Sequence, residues 1–374
     1  MDMNEKSKIK VAVVGTNGIP AAYGGYETLA DNLAKELAEK VEMTVYCSKT
    51  QKEKHYIEGG YYHHAKLIYT KWKANGIESL VYDSLTLLRS AWKDDVILYF
   101  GPGAGFMLPV LRLFGCKKNI IVNHGGLNEW EREKMSKPER IMAKIGHQLA
   151  AKYSTYNIAD NYLYRESLKN IFGTDSVVIR YGGDHAQSVK YNTDLLVKYP
   201  FLDKEYAVSV SRAQIDNNLH VVLEAYAKMP ERLLVLVSNW QVSEYGINLR
   251  EKYYKRYPNI YVLDAIYEPN EINAIRSNAQ FYIHSHSRCG TAPSLCEAMS
   301  LGLAIIAFDV PVNHETTREK ALFFKDVDSL VGAVKHATPE QVKELAAASR
   351  QTADEEFKWS HIADQYMQCI NREI

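Results

Sequence analysis

Short apolar runs alternate with amphipathic stretches along the first half of the chain. Buried strands are predicted from this pattern at Ile9–Val14, Val41–Cys47, Val96–Phe100, Asn119–Asn123, Tyr156–Asp160 and Val177–Tyr181. Helical patterns lie between several of these strands, beginning with the amphipathic stretch that ends at Lys40. Alternation of this kind is typical of a parallel sheet covered by helices on both faces.

A second series of the same kind begins after residues 181–184. Its predicted strands are Tyr206–Val210, Leu233–Val237, Ile260–Leu263, Gln280–His284, Ala304–Ala307 and Leu322–Phe324. Its predicted helices lie near Asn217–Lys228, Ser243–Arg256, Glu268–Ser277 and Pro293–Ser300. The pattern predicts two Rossmann-like α/β domains, 1–183 and 184–355, facing each other across a cleft. A last helix within 356–374 is expected to pack back across that cleft.

Composition agrees with a globular protein. Hydrophobic residues make up 46% of the 374 residues and charged residues 24%, close to the averages of about 45–50% and about 25%. Residues 1–10 are polar, and no apolar run reaches the roughly 18 residues that span a bilayer, so a cytoplasmic protein is expected. Five scattered cysteines indicate free thiols rather than a zinc site.

Charge is unevenly distributed along a chain that is neutral overall. Residues 1–183 hold 25 Lys and Arg against 20 Asp and Glu, and the remainder holds the opposite excess. The N-terminal half is therefore the half expected to face an anionic surface.

The segment 285–304 carries the strongest chemical signal. It follows a predicted strand, turns at Gly290-Thr291 and enters a helix at Pro293, a residue suited to the first helical turn. Free amides and the positive end of the helix dipole make such a helix start an anion site. Glu297, about one turn further on, could accept hydrogen bonds from a ribose; the alternative is that it only decorates a surface helix.

The run Gly-Thr-x-Pro-Ser-Leu-x-Glu-Ala-Met at 290–299 resembles the nucleotide-sugar motif of retaining glycosyltransferases of family 4, which have the GT-B fold. The opening segment, Val14-Gly-Thr-Asn-Gly-Ile-Pro-Ala-Ala-Tyr-Gly-Gly-Tyr-Glu-Thr, resembles a subgroup containing bacterial rhamnosyltransferases. Further matches in order are Ile158-Ala-Asp-Asn, Tyr181-Gly-Gly-Asp, Ser211-Arg and the run 266–279.

This resemblance assigns roles to individual residues. Arg212 matches the arginine that binds the donor diphosphate, where a cation offsets charge on the leaving group; the alternative is that it caps carbonyls or pairs with Asp216. Gly24 and Gly25 open the first helix, where backbone amides can approach a phosphate. His124 follows a strand and is a candidate to contact the donor sugar or the acceptor. The other predicted site residues are Gly290, Thr291, Ala292, Pro293 and Ser294 for the donor, Ile266, Tyr267 and Glu297 for the nucleoside, and Tyr23, Glu129 and Trp130 on the acceptor side.

Three departures from the family pattern stand out. An aspartate-glycine pair is usual near His124, but this chain has Gly125-Gly126 there. A lysine commonly follows the arginine by five residues, and here that position is Asn217. A first glutamate commonly precedes Glu297 by eight residues, and here that position is Cys289. The rhamnosyltransferase-like subgroup tends to lack the last two, so both are interpreted as subgroup character.

Two stretches are candidates for a membrane surface. Tyr61–Trp72, with its lysines, is aromatic and basic, and Phe106–Phe114 is apolar; the second also fits an ordinary buried helix. Together with the resemblance, they suggest a lipid-linked acceptor and peripheral contact with the inner face of the membrane.

The sequence thus predicts a cytoplasmic, retaining and metal-independent glycosyltransferase. Its donor is expected to be a nucleotide-diphosphate sugar, with dTDP-rhamnose as the first choice and a saccharide acceptor in surface polysaccharide synthesis. No cofactor, no metal and no nucleic-acid partner is expected. The alternatives are a hexosyl or acetamidohexosyl transferase of the same fold, a sugar-nucleotide 2-epimerase, and a binding protein without activity.

Overall fold

The computed structural model describes residues 8–21, 24–76, 78–125, 130 and 136–373. The chain divides into two compact units, of which the first comprises Met1–Arg180 with Trp359–Ile374 and the second comprises Tyr181–Lys358. Within the described ranges, no helix has both the length and the apolar character needed to cross a bilayer.

The described elements alternate along the chain as the pattern predicts. The strands are β1 (Ile9–Val14), β2 (Val41–Cys47), β3 (Tyr61–Tyr62), β4 (Ala65–Tyr69), β5 (Val96–Phe100), β6 (Asn119–Asn123), β7 (Tyr156–Ala159), β8 (Val177–Val178), β9 (Tyr206–Val210), β10 (Leu233–Ser238), β11 (Ile260–Asp264), β12 (Phe281–His284), β13 (Ala304–Phe308) and β14 (Leu322–Phe324). The α-helices are α1 (Gly25–Glu36), α2 (Lys49–Lys54), α3 (Glu78–Lys93), α4 (Met107–Leu113), α5 (Lys137–Tyr153), α6 (Tyr162–Phe172), α7 (Thr193–Lys198), α8 (Leu219–Ala227), α9 (Glu244–Tyr253), α10 (Pro269–Ser277), α11 (Pro293–Ser300), α12 (Pro311–Thr317), α13 (Val327–His336), α14 (Pro339–Glu356) and α15 (Trp359–Asn371).

The first unit is built on a sheet with the strand order β3-β4-β2-β1-β5-β6-β7-β8. Its neighbouring strands pair in parallel, except that β3 pairs antiparallel with β4. The direction in which the sheet is wound reverses between β1 and β5. Such a topological switch point is where open α/β sheets bind their ligands, beyond the carboxyl ends of the strands.

The second unit has an all-parallel sheet with the order β11-β10-β9-β12-β13-β14. Counted from β9, this is the 3-2-1-4-5-6 order of a dinucleotide-binding fold. Its switch point lies between β9 and β12. The segment containing Arg212 follows β9 and the segment 285–292 follows β12, so the topology brings the two strongest sequence signals to one place.

Two α/β units with parallel sheets are confirmed, but the sequence pattern missed strands β3 and β4. Ala65 and Leu67 are buried and Lys66 between them is exposed, which is the alternation of a half-buried strand. Only part of the Tyr61–Trp72 stretch therefore lies at the surface. Trp72 packs against the core of the first unit, together with Ile68.

The last helix returns to the first unit. Helix α15 contacts α1 and β6, and Asn119 Nδ2 donates to the carbonyls of Cys369 and Ile370 over 2.8 and 3.1 Å. Asn123 Nδ2 donates to Tyr366 Oη over 2.8 Å. These buried hydrogen bonds join α15 to both ends of β6.

Candidate functional site

The loops at the switch point of the second unit are hydrogen-bonded to each other. Ser287 donates from its amide and from Oγ to the carbonyl of Asp216, each over 2.9 Å. Ser285 Oγ donates to the carbonyl of Asn217 over 2.5 Å, and Asn218 Nδ2 donates to the carbonyl of Ser285 over 3.1 Å. The segment after β9 and the segment after β12 therefore form one fixed surface.

Arg212 lies on this surface, two residues past the end of β9, and its side chain is exposed. Asn217 Nδ2 donates to the carbonyl of Arg212 over 2.8 Å. Asn217 thus stabilises the loop that contains Arg212.

His286, in the loop after β12, contacts Ser211, the residue before Arg212. Its Nε2 lies 2.7 Å from Ser211 Oγ, and Asn313 Nδ2 donates to its carbonyl over 3.1 Å. Burial lowers the pKa of His286 well below its ordinary value, and the nearby charges of His284 and Arg212 lower it further. The ring is therefore neutral at pH 7 and able to exchange hydrogen bonds without adding charge beside Arg212.

Helix α11 begins directly after this surface. Ala292 occupies the N-cap without a side-chain hydrogen bond, and Pro293 is the first helical residue. Thr291 and Ala292 are buried, while Pro293 and Ser294 are partly exposed. An uncapped helix start of this kind, at the same switch point as an exposed arginine, is suited to an anion.

Glu297 has two partners that the sequence did not reveal. Its Oε2 lies 2.5 Å from Arg276 Nη2 and its Oε1 lies 3.1 Å from His185 Nε2, while 8% of the Arg276 side chain and 14% of the Glu297 side chain are exposed. Burial alone would raise the pKa of Glu297, but the charge of Arg276 and the hydrogen bonds from His185 and Arg276 outweigh it and the pKa is lowered. Glu297 is thus an ionised, oriented carboxylate rather than helix decoration.

Gly183 explains how His185 reaches Glu297. A Cβ at Gly183 would lie 2.3 Å from the Cys296 carbonyl oxygen and 2.6 Å from Ser300 Oγ, so any larger residue would push this loop away from α11. The Tyr181-Gly-Gly-Asp match therefore marks a close approach that places His185 beside the carboxylate.

The predicted nucleoside residues lie beyond the end of β11. Ile266 and Tyr267 line a concavity of about 460 Å³ together with Lys198, Tyr199 and Asp264, among others. Neither Arg212 nor Glu297 lines it. The concavity is of a size that holds a small-molecule group, two strands away from the switch point.

Cysteine and histidine side chains make a possible metal-ligand set in the described part of the second unit. One ligand atom each of His284, His286 and Cys289 lies within 4.8 Å of the others. Cys289 Sγ lies 3.8 Å from His284 Nε2 within the group and also 3.8 Å from Asn313 Oδ1 outside it. The sequence missed this group because the strand end and the turn bring its members together.

The first unit has its own loop at the switch point, between β1 and α1. Gly24 is the N-cap of α1 with a φ of 120°, and a Cβ there would lie 2.0 Å from Glu27 Oε2. The Asn17 amide donates to Glu27 Oε1 over 2.8 Å, and the Ala21 amide donates to Asp31 Oδ2 over 2.6 Å. The loop is thus tied to the first two turns of α1, with Gly24 and Gly25 at the helix start as predicted.

His124 is buried with no exposed surface, and both of its ring nitrogens have protein partners. Asn157 Nδ2 donates to the Ala151 carbonyl over 3.0 Å, so its Oδ1 accepts from His124 Nε2 over 2.7 Å. His124 Nδ1 is then left to accept from His147 Nδ1 over 3.3 Å. Burial lowers the pKa of His124 to about 3 and that of His147 to about 4.

In this arrangement His124 supports the end of β6 and presents no ring nitrogen to a sugar, which corrects the predicted catalytic role. Trp130 is corrected in the same way, because its indole is buried against the rings of His147 and Phe172, with centroids 5.2 and 5.5 Å away. Tyr23 and Glu129, the other predicted acceptor-side residues, lie outside the described residues.

Comparisons with known proteins agree with this description. Residues 195–355 match the family model described as glycosyl transferases group 1, and residues 8–184 match a domain of unknown function, DUF1972. No curated protein sequence matches the chain.

Solved structures match over almost the whole chain. Sucrose-phosphate synthase (tll1590) from Thermosynechococcus elongatus has a TM-score of 0.81 at 17% identity, covering 98% of this chain and 99% of that one. Anabaena Alr3699/HepE in complex with UDP-glucose has a TM-score of 0.73 at 13% identity, covering 97% and 100%. Trehalose-6-phosphate from E. coli, bound with UDP-2-fluoro glucose, has a TM-score of 0.74 at 12% identity, covering 96% and 98%.

The fold is therefore that of the GT-B glycosyltransferases. More particularly, residues 195–355, which match the glycosyl transferases group 1 model, include both switch-point loops, Arg212 and the Arg276–Glu297 pair.

Proposed function

We propose that the protein is a retaining, metal-independent glycosyltransferase that moves a sugar from a nucleotide diphosphate to a saccharide acceptor. The observation that carries the proposal is the surface formed by the two loops at the second switch point, which contains Arg212 in the loop after β9 and leads into the uncapped start of α11. This surface lies within the range that matches the glycosyltransferase model.

The donor diphosphate is assigned to this surface. The Arg212 guanidinium offers paired donors to phosphate oxygens, and the amides at the start of α11 add partial positive charge. Both stabilise the negative charge that develops as the diphosphate leaves. Gly24 and Gly25 of the first unit offer a second helix start of the same kind.

The nucleoside is assigned to Glu297 and to the concavity lined by Ile266 and Tyr267. Glu297 is ionised and held by Arg276 and His185, so it can accept hydrogen bonds from ribose hydroxyls without rotating. The concavity beyond β11 is assigned to the base.

The reaction is an exchange at the anomeric carbon on one face of the sugar. The bond from that carbon to the β-phosphate oxygen breaks, and a bond to the acceptor hydroxyl oxygen forms with the configuration retained. The acceptor proton passes to the departing phosphate oxygen. No protein carboxylate is required as a base, which agrees with a switch-point surface whose functional side chain is a cation.

For the donor sugar we propose L-rhamnose from dTDP-rhamnose, on the resemblance of residues 14–28 to rhamnosyltransferases. A UDP-hexose is the second candidate, and the specific observation in its favour is that two structural neighbours are complexes with UDP-glucose and UDP-2-fluoro glucose. The acceptor is proposed to be lipid-linked and used at the cytoplasmic face of the membrane.

The test is a transfer assay in excess EDTA with dTDP-rhamnose, UDP-glucose, UDP-N-acetylglucosamine or GDP-mannose, each with and without a panel of glycosides. We expect one donor to release its nucleoside diphosphate only when an acceptor is present, with the donor's anomeric configuration kept in the product. An epimerised sugar nucleotide formed from donor alone would identify a 2-epimerase instead. Activity that EDTA abolishes and magnesium or manganese restores would contradict metal independence.

A further inference from the structure

Among its described residues, the first unit carries eleven exposed large apolar side chains on or beside three helices, α3, α4 and α5, that are consecutive along the chain. Helix α3 contacts α4, and α4 contacts α5. Trp92, Leu113 and Phe114 are 78%, 83% and 80% exposed. The other large apolar side chains exposed on or beside these helices are Val81, Leu85, Leu88, Phe106, Val110, Ile141, Met142 and Ile145.

These residues form stripes at helical spacing. On α3 they recur at positions 81, 85, 88 and 92, and along α4 and its two capping residues at 106, 110, 113 and 114. The opposite faces of the same helices are also apolar, because Leu87 of α3 and Leu108 and Leu111 of α4 lie in the core. A helix that is apolar on both faces has one face in contact with a partner.

The charges beside the stripes are mostly positive. Exposed cations on α3 and α5 are Arg89, Lys93, Lys137, Lys144 and Lys152. Besides the buried Asp83, the carboxylates on the three helices are Glu78 and Glu139, which accept hydrogen bonds from the Lys73 and Ser136 amides respectively. The face therefore combines apolar side chains with an excess of cations.

We propose that this α3–α5 face binds the surface of an anionic lipid bilayer. Apolar side chains that enter the headgroup region, with lysine and arginine beside them, match a membrane whose surface is negative. A second copy of the chain fits less well, because a two-fold interface would place the same cations opposite each other. Membrane binding would bring the protein to the proposed lipid-linked acceptor. The exposed apolar side chains and the cations that support membrane binding do not depend on the proposed reaction.

The binding surface differs from the one that the sequence suggested. Trp72 of the Tyr61–Trp72 stretch is partly buried against the core, whereas four of the nine residues of the Phe106–Phe114 segment are exposed. The α3–α5 face thus includes the Phe106–Phe114 stretch, for which the sequence suggested membrane contact, and helices α3 and α5, for which it did not.

The test is flotation of the full chain with vesicles of phosphatidylcholine containing phosphatidylglycerol, at low and high salt. Wild type is expected to float with these vesicles and not with phosphatidylcholine alone at high salt. The double variant Leu113→Ser and Phe114→Ser should lower the partition coefficient at least about tenfold per residue. Arg89→Gln and Lys93→Gln should each lower it about fivefold at low salt.

The matched control is Val197→Ser with Val242→Ser, since both valines are exposed in the second unit and should leave flotation unchanged. Flotation of the Leu113 and Phe114 double variant equal to wild type would overturn the proposal, as would no flotation of wild type. A concentration-dependent dimer that the same double variant dissociates would assign the face to a second copy instead. Turnover on a soluble acceptor should be unchanged in the double variant, so failure of the membrane proposal and failure of the transferase proposal are distinguishable.

Discussion

Arg212→Ala should lower turnover by about 30- to 800-fold, because removing a charged donor to a developing anion costs about 2–4 kcal/mol of transition-state stabilisation. Its side chain is exposed, and its loop is held by Asn217 through backbone atoms. The free energy of unfolding should therefore change by no more than about 0.5 kcal/mol. Turnover with the best donor and a urea unfolding curve measure the two effects.

Arg256→Ala is the control for this substitution, because Arg256 is also exposed in the second unit but follows α9. It should leave turnover unchanged. Arg212→Lys keeps the charge and loses the paired geometry, so its turnover should fall between wild type and the alanine variant. If Arg212→Ala keeps more than about a third of wild-type turnover, the leaving group is not stabilised by this residue.

Arg276→Ala should destabilise the protein by about 3 kcal/mol or more, because it leaves a buried carboxylate without its charged partner. The 2.5 Å contact between Arg276 and Glu297 is largely shielded from solvent. With the guanidinium gone, burial dominates and the pKa of Glu297 rises. The destabilisation should therefore be largest above the raised pKa of Glu297 in the variant, and it should shrink as the pH falls through that pKa and Glu297 becomes protonated.

Arg250→Ala provides the matched comparison. Arg250 Nη2 lies 2.9 Å from Asp264 Oδ2, but that carboxylate is mostly exposed. Arg250→Ala should therefore lower the free energy of unfolding by less than about 1 kcal/mol. Urea unfolding of both variants between pH 7 and pH 4 measures the difference. Equal and pH-independent losses would show that the Arg276–Glu297 pair contributes no more than a surface contact.

Strand positions and the location of Arg212 were predictable because they depend on local pattern. An apolar run of five residues predicts a buried strand, and parallel strands present their carboxyl ends at one edge. This reasoning placed β9 and β12 and therefore the two loops that carry the site. It failed at β4, which lies next to the two-residue edge strand β3 and has only a half-buried pattern of five residues.

The environment of each functional side chain was not predictable in the same way. Glu297 is held by Arg276 and His185, which are 21 and 112 residues away in the sequence, and the resemblance gave neither a role. His124 follows a strand just as Arg212 does, yet His147 and Asn157 from other elements occupy its ring nitrogens. The position of a residue relative to a strand indicates where on the fold its side chain is attached. The groups that this side chain contacts depend on which other elements pack beside it.

We expect the second unit to bind a nucleotide diphosphate through Arg212 and Glu297. The test is the thermal stability of wild type, Arg256→Ala and the double variant Arg212→Ala with Glu297→Gln, each with dTDP, UDP or GDP in EDTA. At a hundredfold excess over the dissociation constant, one nucleotide should stabilise wild type and Arg256→Ala by about 2.7 kcal/mol and the double variant far less. Equal stabilisation of all three proteins, or no stabilisation of wild type by any of these nucleotides, would contradict the account.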